Sequence, residues 1–361
     1  MKTNKHALWK CLCLLFVAFV FAGLPAKAQT MVVDGETGDP VTYASVYDKS
    51  TGKYLGVTDG SGFLPEKARD VATIGIQHIN YQAATVEAGS LTDGRIALTP
   101  LVRNIKEVTV DKGQHDYVRL KVYVRQLAWM TDTLAKATKA ICHFYFKASK
   151  ASGKPTITIL SGKSVYNKDI LSGKYRKMVR GVMRINPEVM LSIDGPKRLK
   201  ALPADTVTWK ELNSLGGNWG REYARFDWKN MRCSVVEDSV WATKPFTVPL
   251  TSIAVSNFFF SETYDIHHGA PKIANLTDML FGMRITHKKT STSVDIYNEA
   301  FVLDVDYASK EDLEREKNAT SYGEFVEPEG FAPFNESVLK ALENMRPLTA
   351  EEKAEVMNAA S

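Results

Sequence analysis

The chain has 361 residues, of which 44% are hydrophobic and 24% charged, an ordinary composition for a globular protein with room for two domains. Its formal net charge of +5 falls to +1 without residues 1–28, because this segment carries Lys2, Lys5, Lys10 and Lys27 and no acidic residue. The remaining 42 basic and 41 acidic residues give no argument for nucleic acid or an anionic membrane surface as a partner.

Residues 1–28 have the organisation of a cleavable export signal. A basic start is followed by an apolar run from Cys11 to Leu24 and by Ala26-Lys27-Ala28, an A-x-A cleavage site. We expect cleavage near Ala28 and a location in the periplasm, or secreted or associated with an outer membrane. No second apolar run reaches the roughly 18–20 residues of a membrane helix, so we expect no transmembrane segment after cleavage.

Residues 29–110 are predicted to form a small β-sandwich. Short stretches rich in β-branched and aromatic residues alternate with turn residues; they are Thr42–Tyr47, Tyr54–Thr58 and Thr73–His78. Ala44 and Val46 alternate with Ser45 and Tyr47, a pattern that predicts a strand covered on one face. We interpret Asp59-Gly60-Ser61-Gly62 as a hairpin turn, because it lacks the spaced carboxylates of a calcium loop.

Two runs in this region carry a resemblance. They are Gly35-x-x-Gly38-x-Pro40-Val41-x-x-Ala44-x-Val46 and Gly56-Val57-Thr58-Asp59-x-x-Gly62-Phe63. Both resemble the carboxypeptidase-regulatory-like domain, which implies a seven-stranded, transthyretin-like β-sandwich at the N-terminus of a Gram-negative envelope protein. The tail Ile105–Val110 resembles the strand that links such a domain to a receptor plug. The resemblance implies no peptidase activity.

Residues 111–325 are predicted to form a larger, β-rich module. Tyr117–Arg125 alternates with period two, and further strand-like segments are bounded by Gly, Pro, Asn or Asp. We expect an antiparallel sheet curved into a sandwich or half-barrel. The stretch Trp129–Ile141 fits either a hairpin through Asp132 or a short helix. The stretches YVRLKVYVRQ, TKAICHFYF and VLDVDYASKEDL resemble uncharacterised secreted proteins, which imply no activity for any residue.

Residues 326–361 are predicted to be a loop and helices, after a short charged helix at Ser309–Glu316. Asn335 is a candidate cap for a helix with Val338, Leu339 and Leu342 on one face. Thr349-Ala350-Glu351-Glu352 is a capping box that opens a final helix.

Few residues suggest chemistry. Trp209, Trp219 and Trp228 are candidate ligand-binding residues, which could form a stacking platform for sugar rings or line an apolar pocket. The alternative is that these tryptophans are buried in the core. Cys142 and Cys233 are either one disulfide or two buried thiols. His267-His268 is the best candidate for a metal site, and the alternative is that these residues belong to an exposed loop without a metal. We interpret Ser161-Gly162-Lys163-Ser164 as a turn after a strand rather than a phosphate loop, because the preceding Gly is missing.

Three short stretches resemble the Asp-Ser/Thr-aliphatic signal for O-glycosylation: Asp132-Thr133-Leu134, Asp205-Thr206-Val207 and Asp238-Ser239-Val240. No catalytic constellation, metal site or cofactor site is predicted. The sequence therefore favours an exported, non-enzymatic envelope protein that binds a protein, glycan or lipid. One alternative is a periplasmic carrier with an apolar ligand near Phe258, Phe260, Leu280 and Phe281. The other is a hydrolase with an unrecognised site.

Overall fold

A computed structural model describes residues 29–87, 94–101, 115–148, 155–167, 169, 221–238, 245–247, 252–267, 271–319, 323–331, 333–343 and 345–352. Within these ranges the protein is mainly β, with antiparallel sheets and short helices near its C-terminus, which confirms the predicted fold class. The signal segment and the tail Ile105–Val110 lie outside the described residues. No helix in the described ranges is long and apolar enough to cross a membrane.

The first domain contains six described strands in two sheets. They are β1 (Met31–Asp34), β2 (Ser45–Asp48), β3 (Tyr54–Val57), β4 (Thr73–Gln77), β5 (Ala84–Glu87) and β6 (Arg95–Leu98). Strands β3-β2-β4-β5 form one antiparallel sheet, and β1 pairs in parallel with β6. Val32, Val46, Ile76 and Leu98 share one buried cluster that joins both sheets, so this domain has a core of its own.

The turns of the first domain form where the sequence predicts them. Gly62 has a φ of +81°, and a Cβ atom there would lie 2.7 Å from the Val32 carbonyl oxygen. The Asp59 carboxylate accepts hydrogen bonds from the backbone amides of Ser61 (2.8 Å) and Phe63 (3.0 Å). These bonds confirm that Asp59–Gly62 is a turn held by its own side chain.

In the described residues the second module is an antiparallel sheet of nine strands. Its strands are β7 (Tyr117–Met130), β8 (Thr133–Lys147), β9 (Thr156–Tyr166), β10 (Arg221–Asp227), β11 (Arg232–Asp238), β12 (Phe246–Thr247), β13 (Ile253–Asp265), β14 (Leu276–His287) and β15 (Thr292–Ala308). Eight of them run in the order β10-β11-β13-β14-β15-β7-β8-β9, and β12 pairs with β13 outside this path. Strands from distant parts of the chain thus meet at the β15–β7 pair.

A tight hairpin joins β7 to β8. Its two turn residues, Thr131 and Asp132, have φ angles of 48° and 68°. Positive φ at both positions matches the right-handed twist of the flanking strands. Trp129 pairs with Leu134 across the turn. Of the two interpretations of Trp129–Ile141, the hairpin is confirmed.

Each strand of the large sheet places alternate side chains on opposite faces. One face, called here the far face, carries Val124, Phe258, Phe260 and Phe281 in one buried cluster. The opposite face, called here the docked face, carries Trp129, Phe259, Leu280 and Tyr297. Side chains on both faces of the sheet are buried.

Two short helices follow the sheet. Helix α1 (Lys310–Lys317) begins after Ser309, whose hydroxyl oxygen accepts from the Asp312 amide in a capping box. Helix α2 (Glu336–Leu342) buries Val338 against the docked face, but Leu339 is 42% exposed, so its predicted place on the buried side is wrong. The capping box at Thr349 is confirmed by bonds between Thr349 and Glu352 in both directions.

Two further local predictions are wrong. Residues Ser161–Ser164 are no turn, because β9 continues through them to Tyr166 with a bulge between Ile159 and Ser161. Strand β2 is covered on both faces rather than one. Val46 packs in the core of the first domain, whereas Tyr47 belongs to the cluster on the docked face of the large sheet.

Candidate functional site

The first domain docks on the large sheet through aromatic rings. Tyr54 stacks on Trp129 with ring centroids 4.4 Å apart and planes 11° apart. Tyr43 stacks on Phe259 at 4.8 Å and 5°. The Tyr297 hydroxyl donates to the Tyr43 carbonyl oxygen at 3.3 Å. Since these rings are buried, the two modules share an apolar core as well as a surface contact.

Helix α2 ties the same two modules together. The Asn335 backbone amide donates to the Gln77 side-chain oxygen at 2.6 Å. Lys49 of the first domain forms an ion pair with Glu336 at 3.1 Å. A Cβ atom on Gly75 would lie 2.2 Å from the Asn335 side-chain nitrogen, so strand β4 lies close to the residue before this helix and a larger side chain there would displace the Asn335 amide.

A buried ion pair lies beneath this interface. The Arg125 guanidinium donates from Nε to the Glu299 carboxylate at 2.7 Å, and both side chains are almost fully buried. The Phe334 ring lies 5.0 Å from the guanidinium carbon of Arg125. Burial raises the pKa of the neighbouring Tyr47, as does the Glu299 charge. The charges thus lie near aromatic side chains from two other parts of the chain, Tyr47 and Phe334.

A cleft of about 230 Å³ opens beside the docked interface. One wall is the first-domain loop with the Gly35–Val46 pattern, which contributes Asp34, Thr37 and Asp39. The other wall is the edge of the large sheet. It contributes polar and apolar side chains from β10, β11, β13 and β14: Phe226, Asp227, Arg232, Ser234, Ser261, Thr263, Asp278 and Leu280. The cleft is therefore rich in carboxylates and hydroxyls.

Asp34 is held rigidly in the first wall. Its carboxylate accepts from the amides of Glu36 (2.7 Å) and Thr37 (2.9 Å) and from the Tyr81 hydroxyl (2.9 Å). Burial raises the pKa of Asp34, but the hydrogen bonds outweigh burial and lower its pKa below the usual value. A fixed, ionised acceptor suits binding of hydroxyl groups better than proton donation.

The second wall offers donors as well as acceptors. Arg232 is exposed and follows the β10–β11 turn, where the Asp227 carboxylate accepts from the backbone and side-chain nitrogens of Asn230 at 3.0 and 2.8 Å. Its charge reaches Tyr81 across the cleft. Within the described residues the Arg232 side chain has no hydrogen bond or ion pair, so its guanidinium donors face solvent at the cleft.

The predicted tryptophan platform is only partly covered by the structure. Trp228 is 39% exposed and stacks on Phe226, with ring centroids 5.3 Å and planes 12° apart. Phe226 lines the cleft, so Trp228 lies one ring away from it. Trp209 and Trp219 lie outside the described residues.

The two cysteines form no disulfide with each other. Cys142 on β8 and Cys233 on β11 are both fully buried on the far face. Four strands, β13, β14, β15 and β7, lie between them in the sheet. Burial raises the pKa of Cys233 to about 12. Of the two interpretations, the structure shows buried thiols.

The metal candidate stands on a local turn. The His267 ring nitrogen Nδ1 and its backbone amide both lie 2.8 Å from one Asp265 oxygen, on an exposed segment. His268 lies outside the described residues. Among the described residues no group of three or more His, Cys, Asp or Glu side chains is arranged to hold a metal.

The glycosylation stretches fall in different places. Thr133 is exposed beside the β7–β8 turn, and its neighbour Asp132 approaches Arg284 at 3.3 Å and Lys67 at 3.9 Å. Asp238 ends β11, whereas Ser239 and the whole of Asp205–Val207 lie outside the described residues.

Apart from Leu280, which was a candidate for contact with an apolar ligand, none of the side chains that line the cleft was predicted from the sequence to bind a ligand. Their only signal was the Gly35–Val46 pattern, which marks the loop but not the sheet edge opposite it. The fold and the cleft define a two-module β protein with a polar groove at the junction.

Comparisons with known proteins add little to this description. No family model and no curated protein matches the chain. A solved structure described as lipid-protein interactions in lipovitellin matches at a TM-score of 0.26 and 9% identity, over 60% of this chain and 27% of that chain. A likeness at this level carries no argument about fold or function.

Proposed function

We propose that this protein is an exported, non-enzymatic binding protein whose ligand enters the cleft between its two modules, and that the ligand is a glycan. The observation that carries the proposal is the composition of the cleft. Carboxylates, hydroxyls and one arginine converge there from both modules, next to the rings of Tyr81 and Phe226. Sugar hydroxyls donate to carboxylates and accept from guanidinium groups, and sugar ring faces pack on aromatic rings.

The size of the cleft limits the ligand. Its volume of about 230 Å³ is below the roughly 300–1,000 Å³ of pockets that enclose a whole drug-sized ligand. A single sugar unit of a longer glycan fits such a space, with the rest of the chain outside. Trp228, stacked on Phe226 at the edge, is placed to contact a second sugar ring.

The docked interface gives this cleft a fixed shape. Since Tyr43 and Tyr54 are buried against the large sheet, the two walls are held in one arrangement. Pre-organised walls favour affinity, because little side-chain or domain motion is lost on binding. The hydrolase alternative finds no support in Asp34, whose lowered pKa differs from the raised pKa of a glycosidase general acid.

The test is a screen of the protein against bacterial envelope glycans, followed by calorimetry on each hit. Arg232→Gln removes an exposed charge without breaking a bond, and we expect at least a tenfold loss of affinity with unchanged thermal stability. Arg315→Gln on α1, also exposed, is the matched control and should bind as the wild type does. If no glycan binds, or if both variants bind equally, the cleft is not the site. If the wild type binds a protein and the Arg232→Gln variant does not, the ligand of the cleft is a protein and the glycan proposal is wrong.

The carrier alternative belongs to another part of the molecule. Phe258, Phe260 and Phe281 lie together on the far face, as that alternative requires, but Leu280 points to the docked face and lines the cleft.

A further inference from the structure

The cleft between the two modules carries an excess of negative charge. The charged and titratable side chains that line it, apart from Tyr81, are Asp34, Asp39, Asp227, Asp278, Arg232 and His78. With the histidine neutral, four carboxylates and one guanidinium give these lining residues a formal charge of −3 (1 − 4). Residues 29–361 together carry only +1, so the excess is local. A cleft lined by charges of one sign attracts ligands of the opposite sign.

Charges from both walls of the cleft act on the Tyr81 hydroxyl group. This hydroxyl donates to the Asp34 carboxylate at 2.9 Å. Burial is the largest cause of the raised pKa of Tyr81, and the bond to Asp34 is the next. The Asp39 charge raises this pKa further, whereas the Arg232 charge lowers it. The charged groups of the two walls therefore lie close enough to act on one atom.

A row of acceptors crosses the sheet side of the cleft. In the strand register Ser234 of β11 is opposite Thr263 of β13, and Thr263 is opposite Asp278 of β14. Directly opposed residues share one face of a sheet. Asp278 is 4% exposed, and its carboxylate accepts from the Thr277 hydroxyl at 2.9 Å. The Asp278 carboxylate thus lines the cleft from a largely buried position, beside two hydroxyl groups.

A hydroxyl group without a partner lies next to this row. Ser261 of β13 is opposite Leu280, two positions from Asp278, so Ser261 and Asp278 are diagonal neighbours about 7 Å apart on one face. Ser261 is 7% exposed and lines the cleft. Within the described residues its side chain has no hydrogen bond. A polar group that is largely removed from water and has no protein partner favours a ligand group that bonds to it.

These features favour an ammonium group as the part of the ligand that reaches the sheet side. An ammonium group has three donors and a positive charge. Its hydrogen bonds to carboxylates are about twice as strong as bonds between neutral groups. A neutral sugar has donors but no charge, and an acidic sugar would add to the repulsion among the carboxylates. The Arg232 guanidinium remains available to donate to sugar hydroxyl oxygens.

From this arrangement we propose that the glycan bound in the cleft contains an amino sugar with a free amino group, whose ammonium form donates to the Ser261 hydroxyl and the Asp278 carboxylate. The charges of Asp34, Asp39 and Asp227 add to the attraction without direct contact. This inference rests on the proposed glycan-binding function and names the chemical class of the ligand.

The test compares three trisaccharides that differ in one group, by calorimetry on the full chain at pH 6. They are β-1,4-linked trimers of glucosamine, of N-acetylglucosamine and of glucose. We expect the glucosamine trimer to bind about tenfold more tightly than the other two, because a hydrogen bond to a charged group contributes more than a neutral one. At pH 9 the sugar amine has lost its proton, and this difference should disappear. Loss of a proton from His78 makes the cleft more negative, so it does not account for weaker binding of a cation.

Two variants and a matched control locate the charge effect. Asp39→Asn removes an exposed charge whose carboxylate has no hydrogen bond within the described residues, and it should weaken binding of the glucosamine trimer about threefold. Ser261→Ala should weaken the same binding about fivefold. Thermal stability should stay unchanged in both variants. Asp70→Asn makes the same charge change at an exposed position outside the cleft and should bind as the wild type does.

The outcomes separate this inference from the proposed function. It is overturned if the wild type does not bind the glucosamine trimer, or binds either of the other trimers as tightly. The proposed function survives these results if another glycan binds and Arg232→Gln weakens that binding. Equal binding by the Asp39→Asn and Asp70→Asn variants would also overturn the inference. Trilysine carries the same number of side-chain ammonium groups, and its tighter binding would assign the cleft to a peptide and overturn both proposals.

Discussion

Replacement of Trp129 by alanine tests whether the first domain and the large sheet fold as one unit. Trp129 is fully buried, stacks on Tyr54 at 4.4 Å and lies 5.8 Å from the Tyr47 ring. Truncation of a buried tryptophan to alanine costs about 3–5 kcal/mol. The indole nitrogen has no hydrogen-bond partner among the described residues, so its removal relieves an unsatisfied donor and places the expected loss near the lower end, about 3 kcal/mol.

Urea denaturation followed by circular dichroism measures this loss. With a dependence of about 3 kcal/mol per molar urea, a loss of 3 kcal/mol lowers the midpoint by about 1 M. In the wild type we expect one transition, because rings of both modules share a core. A double-mutant cycle with Tyr54→Ala should give a coupling of about 0.5–1.5 kcal/mol, the contribution of an aromatic pair beyond its buried area.

The control is Trp228→Ala, which removes a stacked but half-exposed ring outside the docked interface. Its cost should stay below about 1 kcal/mol, as for most exposed positions. The reasoning is refuted if Trp129→Ala shifts the midpoint no more than Trp228→Ala does. It is also refuted if the wild-type first domain unfolds in a separate transition while the sheet remains folded.

Three more predictions concern single side chains. Lys136→Met should stabilise the protein by up to about 3 kcal/mol at pH 7, because burial lowers the folded-state pKa of Lys136 to about 8 from 10.5. The cost of burying its charge is full below pH 8 and disappears as the pH rises toward 10.5. Urea titrations at several pH values measure the gain, and a gain independent of pH would contradict this. Gly282→Ala should lower the free energy of unfolding by about 1–3 kcal/mol, since a Cβ atom there would lie 2.3 Å from the Phe259 ring that stacks on Tyr43. Thermal unfolding measures the loss, and an unchanged melting temperature would show that the Phe259 ring moves aside without cost. Cys142 and Cys233 should resist alkylation by iodoacetamide at pH 8 until the protein is unfolded, as measured by peptide mass spectrometry. Burial raises the pKa of Cys233 to about 12, so rapid labelling of Cys233 in the native protein would contradict this prediction.

The strand pattern was predictable because it depends on neighbours in the sequence. Tyr54–Val57 and Thr73–Gln77 lie close to their predicted positions, since β-branched and aromatic residues between turn residues favour extended backbone wherever they occur. The turn at Asp59–Gly62 was predictable for the same reason, because a side chain that bonds to its own loop needs no distant partner.

The errors occurred where a distant segment decides the outcome. Tyr47 was expected on an open face of β2 and is instead buried, because the large sheet covers that face. Ser161-Gly162 reads as a turn, but pairing with Ala140 and Ile141 on β8 continues the strand through it. Local propensity is a weak preference, and tertiary pairing overrides it.

Gln126 and Asn298, two buried amides on the far face, show the same division. Gln126 follows Val122 and Val124 at the inward positions of β7, and Asn298 follows Val294 and Ile296 in β15, so each reads as one polar interruption in an apolar alternation. Gln126 and Asn298 are 172 residues apart in the chain (298 − 126), and they meet only through the antiparallel register of β7 and β15. No local sequence pattern specifies this register.

The sequence by itself thus determined the β-rich class, most of the strands and the turns that separate them, because period-two alternation and turn chemistry act over a few residues. Only the tertiary structure decided that the first domain packs on the large sheet, that a polar cleft opens at their junction, and that two amides meet on the far face. Each of these depends on strand order, register and docking, which arise from contacts between residues far apart in the chain.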